Sequence, residues 1–179
     1  MEAKYTLTQE ILEKARDYIP LGIKEAWVAD NAPKCFDKLA ITAGNEAMPP
    51  MYMVNTGLKS RYLMGALVGL YFGLEFTAES EDNAALMTVE EYDGWAGAHV
   101  MNQLERMKHD ATYKCKAYDL MYDYKDLEKR FSAQITALMT VQNDSVIRQS
   151  ELTANQIKEL PTLLEQLKEL QGKGEADAD

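Results

Sequence analysis

The chain reads as all-α: a single-domain bundle of about six helices around one buried, glycine-striped helix, residues 58–76, with a long heptad-like helix over 113–141. Three observations predict this. From Tyr62 to Leu74 there is neither a charge nor a proline, and Gly65, Gly69 and Gly73 recur every fourth position, so a helix here is apolar all round and belongs in an interior. Tyr113, Ala117, Leu120, Tyr124, Leu127, Phe131, Gln134, Leu138 and Val141 follow one another at alternating spacings of four and three, the seam of a helix packed along a neighbour. No useful length of sequence alternates with the period of two that a half-buried strand needs.

Taken in order, Thr6 with Gln9 makes a capping box that starts a helix near Leu7, and Ile11, Leu12, Ala15, Tyr18 and Ile19 share one face of it. Pro20 ends or bends that helix. A second short helix follows through Ile23, Trp27 and Val28, breaks before Pro33, and resumes across Cys35, Phe36, Leu39 and Ile41. Residues 44–50 turn to loop, with Pro49 and Pro50 extended and unsuited to a central strand. Asn55 or Thr56 caps the apolar helix.

The polar connection TAESEDNAAL leads to a second capping box, Thr88 with Glu91, and a helix expected to reach Lys108 with Tyr92, Ala96, His99, Val100, Gln103 and Met107 on one side. Asn143, Asp144 and Ser145 mark a weak break after the long helix. Thr153 with Gln156 opens a third box, and Ile157, Leu160, Leu164, Leu167 and Gln171 continue the heptads, with Pro161 starting a fresh helix. Gly172 and Gly174 stop it, leaving residues 172–179 as a disordered acidic tail and residues 1–171 as the domain.

At 179 residues such a chain buries a sizeable core without disulfides or metal. Cys35 and Cys115 stand far apart with no metal-type spacing, and the N-terminus carries no apolar run behind a basic segment, so a reducing, cytoplasmic setting is expected. The uncharged run of the central helix is too short for a bilayer, which takes roughly 20 residues, so no membrane span is expected.

Charge carries more information than composition. The formal net charge is −10, yet residues 62–105 hold no lysine or arginine against eight acids. Seven of the eight, Glu75, Glu79, Glu81, Asp82, Glu90, Glu91 and Asp93, fall where the central helix gives way to the next one. Glu90, Glu91 and Asp93 oppose the dipole of a first helical turn, which explains part of the cluster. A concentrated negative field also steers a basic partner, and these seven residues are the candidate partner-binding site. Downstream the sign reverses: Arg106, Lys108, Lys114, Lys116, Lys125, Lys129 and Arg130 interleave with Tyr113, Tyr118, Tyr122 and Tyr124. Such residues suit phosphates and bases, but Asp110, Asp119, Asp123, Asp126 and Glu128 sit among them at ion-pairing spacings, which favours a solvated face.

Catalytic signatures are lacking. Glu105 and His109 lie one helical turn apart, but a metal bundle repeats such pairs on several helices. His99 reads as a core histidine, and neither a phosphate loop, a nucleophile elbow, CxxC nor HExxH occurs. Ser60 and Cys115 are nucleophiles only with tertiary neighbours that the sequence does not show. The expectation is therefore a non-enzymatic binding protein with no metal and no cofactor.

In composition, though in no aligned motif, the chain resembles the accessory proteins of phages and mobile elements, including inhibitors of host defence nucleases such as those of CRISPR systems. That likeness implies a nucleic-acid mimic whose carboxylates stand in for phosphates on a basic nuclease surface. Two alternatives belong to other classes. One is an assembly protein forming a homodimer through Tyr113–Val141 and the C-terminal heptads; the other is a small helical enzyme or metal protein.

Overall fold

Residues 4–43 and 46–176 are described by a computed structural model of the chain. It is mostly helical, with a long C-terminal helix and a small two-stranded sheet, and so departs from a clean six-helix bundle. The chain divides into two compact units, residues 1–37 with 53–139 and residues 38–52 with 140–179.

In the first unit, α1 (Gln9–Lys14) is capped by Thr8, whose hydroxyl accepts from the Ile11 N–H, and not by Thr6. It ends five residues before the expected Ile19 because the backbone finds tertiary partners: the Arg16 N–H donates to the Tyr71 carbonyl at 2.7 Å and the Ile19 N–H to Asp123 at 3.0 Å. Pro20 then caps α2 (Leu21–Asn31), and a 3-10 turn, Ala32–Lys34, carries Pro33. The expected helix across Cys35 to Ile41 is instead strand β1 (Phe36–Ala43), paired with β2 (Glu46–Val54). Pro49 and Pro50 are accommodated in β2 because both strands of a two-stranded sheet are edges, where a missing N–H breaks no central ladder.

The central helix forms as expected but ends earlier. Asn55 caps α3 (Thr56–Gly65) by accepting from the Leu58 N–H at 2.9 Å. The helix continues as a π-turn, Ala66–Tyr71, and Gly73 closes it in the left-handed region at φ +66°. Tyr62, Leu63, Ala66, Leu67, Val68, Tyr71 and Phe72 are buried, as an apolar helix requires. Gly65 and Gly69 make a close approach possible, though not to another helix: a Cβ at Gly65 would lie 2.5 Å from the Ala85 carbonyl oxygen, and one at Gly69 would lie 3.1 Å from the Phe76 ring.

The single helix expected over 89–108 is two, α4 (Val89–Gly97) and α5 (Val100–Met107). They are separated at His99, which has φ 54° and is exposed rather than buried. Gly97, just before the break, weakens a helix at that point, and histidine is among the residues that tolerate left-handed backbone.

The long helix, α6, runs from Lys114 to Ala176 and supplies its first part to this unit. Ala117, Leu120, Tyr124, Leu127 and Phe131 are buried along the expected seam, but Gln134 is exposed and Ile135 takes the inward place. A strict seven-residue repeat drifts about 20° per heptad on a 3.6-residue helix, so the seam slides off the core within a few turns. Phe131 lies under the rings of Trp27, at 4.8 Å between centroids, and Tyr62, at 6.3 Å, which ties α2, α3 and α6 together.

In the second unit α6 passes through Asn143–Ser145, Thr153 and Pro161, and on through Gly172 and Gly174, where breaks, a third cap, a fresh helix and a stop were expected. The Asn143 side chain brackets Tyr52 of β2, accepting from its N–H at 3.0 Å and donating to its carbonyl at 3.3 Å. Of the expected acidic tail, residues 177–179 lie outside the described residues.

Candidate protein-docking surface

The seven carboxylates singled out by the sequence lie on the connection after the central helix and the first half of α4, with only Glu90 and Glu91 in its first turn. The connection is held in shape by bonds within itself and to α3. Ala78 and Met87 form an antiparallel bridge, the Glu79 N–H donates to the Leu86 carbonyl at 2.8 Å, and the Thr88 N–H donates to the Thr77 carbonyl at 3.0 Å. At its far end a 3-10 turn, Glu81–Asn83, is anchored by the Tyr62 hydroxyl, which donates to Asn83 Oδ1 at 2.7 Å. The Ala85 carbonyl and the Phe76 ring sit where Gly65 and Gly69 leave room, so the glycine stripe is the seat of the acidic connection.

The structure sorts the seven into two groups. Glu91 is buried: Lys4 donates to its Oε2 at 2.7 Å and the Thr77 hydroxyl at 3.3 Å. The contact with Glu91 raises the Lys4 pKa above its usual value. Only half of the expected capping box forms, with Thr88 Oγ1 accepting from the Glu91 N–H while the Glu91 carboxylate turns to Lys4. Glu79 pairs with Arg61, whose Nε also donates to the Met87 carbonyl at 2.6 Å. These two acids hold the segment together. Glu75, Glu81, Asp82, Glu90 and Asp93 are exposed and form no ion pair among the described residues. Asp93 opens on a cleft of about 400 Å³ between the first turns of α3 and α4, shared with Ser60, Arg61, Val89 and Tyr92.

A larger opening, about 1050 Å³, lies between the N-terminal segment and the end of the central helix. Two of its cations are already engaged, Lys4 with Glu91 and Lys14 with Glu10.

Sequence reasoning missed a buried charged cluster. Lys24, 3% exposed, donates from Nζ to Asp123 at 2.5 Å and to Asp126 at 3.1 Å. Asp123 also accepts from the Tyr71 hydroxyl at 2.9 Å and from the Ile19 N–H. Burial pulls the Lys24 pKa down, but the hydrogen bonds it donates to both aspartates outweigh that and leave the amine above its ordinary value. Burial, then the neighbouring Asp123, pushes the Tyr71 hydroxyl well up. With every group partnered, the cluster binds α2, the central helix and α6 together. The available signal lay in α2, whose buried positions, Lys24, Val28 and Asn31, keep helical spacing although two are polar.

Among the described residues no group of three potential ligands is placed to hold a metal ion, and His99 and His109 are both exposed. Cys35 is buried and Cys115 exposed, with burial pushing the Cys35 thiol up to about 12. No helix among the described residues is long and apolar enough to cross a membrane. No protein-family model, curated protein or solved structure matches the chain.

Proposed function

We propose that this chain is a non-enzymatic binding protein whose acidic connection docks on a basic protein surface, most concretely the nucleic-acid groove of a nuclease. One observation carries the reading: Glu75, Glu81, Asp82, Glu90 and Asp93 stand exposed and uncompensated on a backbone pinned by Tyr62, Arg61 and the glycine seat. Uncompensated like charges destabilise a fold modestly, and a pinned scaffold lowers the entropy lost when they meet cations. The reading places an inhibitor of phage or mobile-element type in the cytoplasm.

Its test is affinity capture from the host lysate at low and high salt, with wild type and with E75Q/E81Q/D82N/E90Q/D93N. Glu79 and Glu91 are left intact because Arg61 and Lys4 need them. The captured basic partner should associate about tenfold or more slowly as salt rises, and should be lost with the variant. A variant that captures the same partner as strongly refutes the reading.

A second reading, self-assembly through the heptads, is favoured by exposed Val141, Ile147, Leu152, Ile157 and Leu160 on the later part of α6. The seam from Ala117 to Phe131 is already covered by its own chain, which moves any homodimer contact off most of Tyr113–Val141. Solution mass decides: L152S/I157S/L160S should convert a dimer to a monomer, and a wild-type monomer at every concentration removes this reading.

A further inference from the structure

The basic, tyrosine-rich stretch that the sequence left as an ion-paired face is divided in two by the structure. Lys108 pairs with Glu105, Lys116 donates to the Glu13 carbonyl, and Arg130 holds Asp126 at 2.8 Å. Tyr113 donates to Glu13 at 3.0 Å, and Tyr124 is buried. Six residues remain, Arg106 on α5 and five on α6: Lys114, Tyr118, Tyr122, Lys125 and Lys129. All are exposed, Tyr118 by 58% and Tyr122 by 72%, and none makes a side-chain hydrogen bond or ion pair among the described residues. Glu105, within electrostatic reach of Lys125, is already held by Lys108.

These five share one side of α6. At 3.6 residues per turn they fall within an arc of about 80°, opposite the buried positions Leu120, Tyr124, Leu127 and Phe131, and along about 22 Å of axis. Asp119 and Glu128 project about 40° or more outside that arc. Tyrosines 118 and 122, four residues apart, rise about 6 Å one above the other, flanked by a lysine on one side and two on the other. Two exposed aromatic faces serve successive bases of an unstacked strand, and amines on either side serve its phosphates; an acidic protein would match the lysines but leave both rings in water.

We propose that this ridge, Lys114, Tyr118, Tyr122, Lys125 and Lys129, binds single-stranded nucleic acid without sequence preference, its bases stacking on the two tyrosines. This surface is separate from the acidic connection and does not depend on what docks there. Three phosphate contacts give a salt slope of about −2, so affinity falls on the order of 20-fold for a fourfold rise in salt. Each tyrosine contributes about fivefold or more.

The test measures fluorescence anisotropy of a labelled 20-nucleotide oligothymidylate with the full chain, at two salt concentrations fourfold apart. Y118A/Y122A and K125E/K129E, checked for native circular dichroism, are compared with wild type. Cys115, exposed one residue past Lys114, reports location through its rate of maleimide labelling. Expected are saturable binding that weakens with salt as stated, loss in both variants, and slower labelling of Cys115 in the complex. The proposal is overturned by no anisotropy change up to about 100 µM protein, the weak end of non-specific binding. It is also overturned by equal binding in both variants, or by polyglutamate competing as well as the oligonucleotide, which would assign the ridge to an acidic protein.

Discussion

Replacing Lys24 with methionine keeps the aliphatic length of the side chain and removes its charge. The Asp123 carboxylate then keeps the Ile19 N–H and the Tyr71 hydroxyl, at 3.0 and 2.9 Å, but loses the amine at 2.5 Å and is left in the interior without its cation. Removing one partner of a buried pair costs about 3–5 kcal/mol, a large share of a typical stability of about 5–15 kcal/mol. For a chain of this size that lowers the melting temperature on the order of 10 °C. The double variant K24M/D123N should recover much of the loss, because an asparagine oxygen accepts the same two hydrogen bonds without a buried charge. Urea melts followed by tryptophan fluorescence measure this directly, since Trp27 and Trp95 both lie in the first unit. A cost for K24M below about 1 kcal/mol, or a double variant no more stable than the single one, would refute the account of Lys24 as the compensating charge.

The same cluster sets an alkaline limit. The pKa values of Lys24 and Tyr71 are raised in the folded chain, so its stability is complete below the unfolded values near 10.5 and 10.0 and falls as pH climbs beyond them. Urea midpoints should therefore drop above about pH 10 in wild type, with a shallower drop in K24M.

Three further outcomes follow from local geometry. Gly65→Ala places a Cβ 2.5 Å from the Ala85 carbonyl oxygen and should cost about 1–3 kcal/mol in a thermal melt, whereas Gly22→Ala, with nothing within 4 Å, should gain up to about 1 kcal/mol. Asn55→Ala removes the cap of α3 and should cost about 1 kcal/mol, while Asn55→Ser should restore most of it. Native protein should take one equivalent of a thiol reagent at Cys115, and a second only on unfolding, because Cys35 is buried and its thiol is pushed up to about 12.

What could be read in advance was what local chemistry decides. Asn55 and Thr88 announced their helices because a side-chain oxygen three residues before a needed N–H is a contact within the segment itself. Burial of the Tyr62–Phe72 stretch followed from its lack of charge. The strand pair was missed because Phe36, Leu39 and Ile41 fit a helical reading. Premature ends such as that of α1 are set by Tyr71 and Asp123, far away in sequence. The capping box set Glu91 apart from Glu90 beside it but aimed its carboxylate back at the helix start, and nothing along the chain points to its partner Lys4. Lys24 and Asp123 were overlooked for the same reason: their meaning is in each other.

The π-turn has a consequence for edits of length. The Phe72 N–H donates to the Leu67 carbonyl at 3.0 Å, five residues back, so Ala66–Tyr71 stores more chain per turn than ordinary helix. Excising one amino acid there lets the wide turn relax to ordinary helix with the chain on either side in place, whereas the same excision from a regular turn of α3 would swing everything after it by about 100°, carrying the Tyr71 hydroxyl away from Asp123 and the Phe76 ring off its glycine seat. This short stretch can therefore give up one residue where a regular turn of the same helix could not.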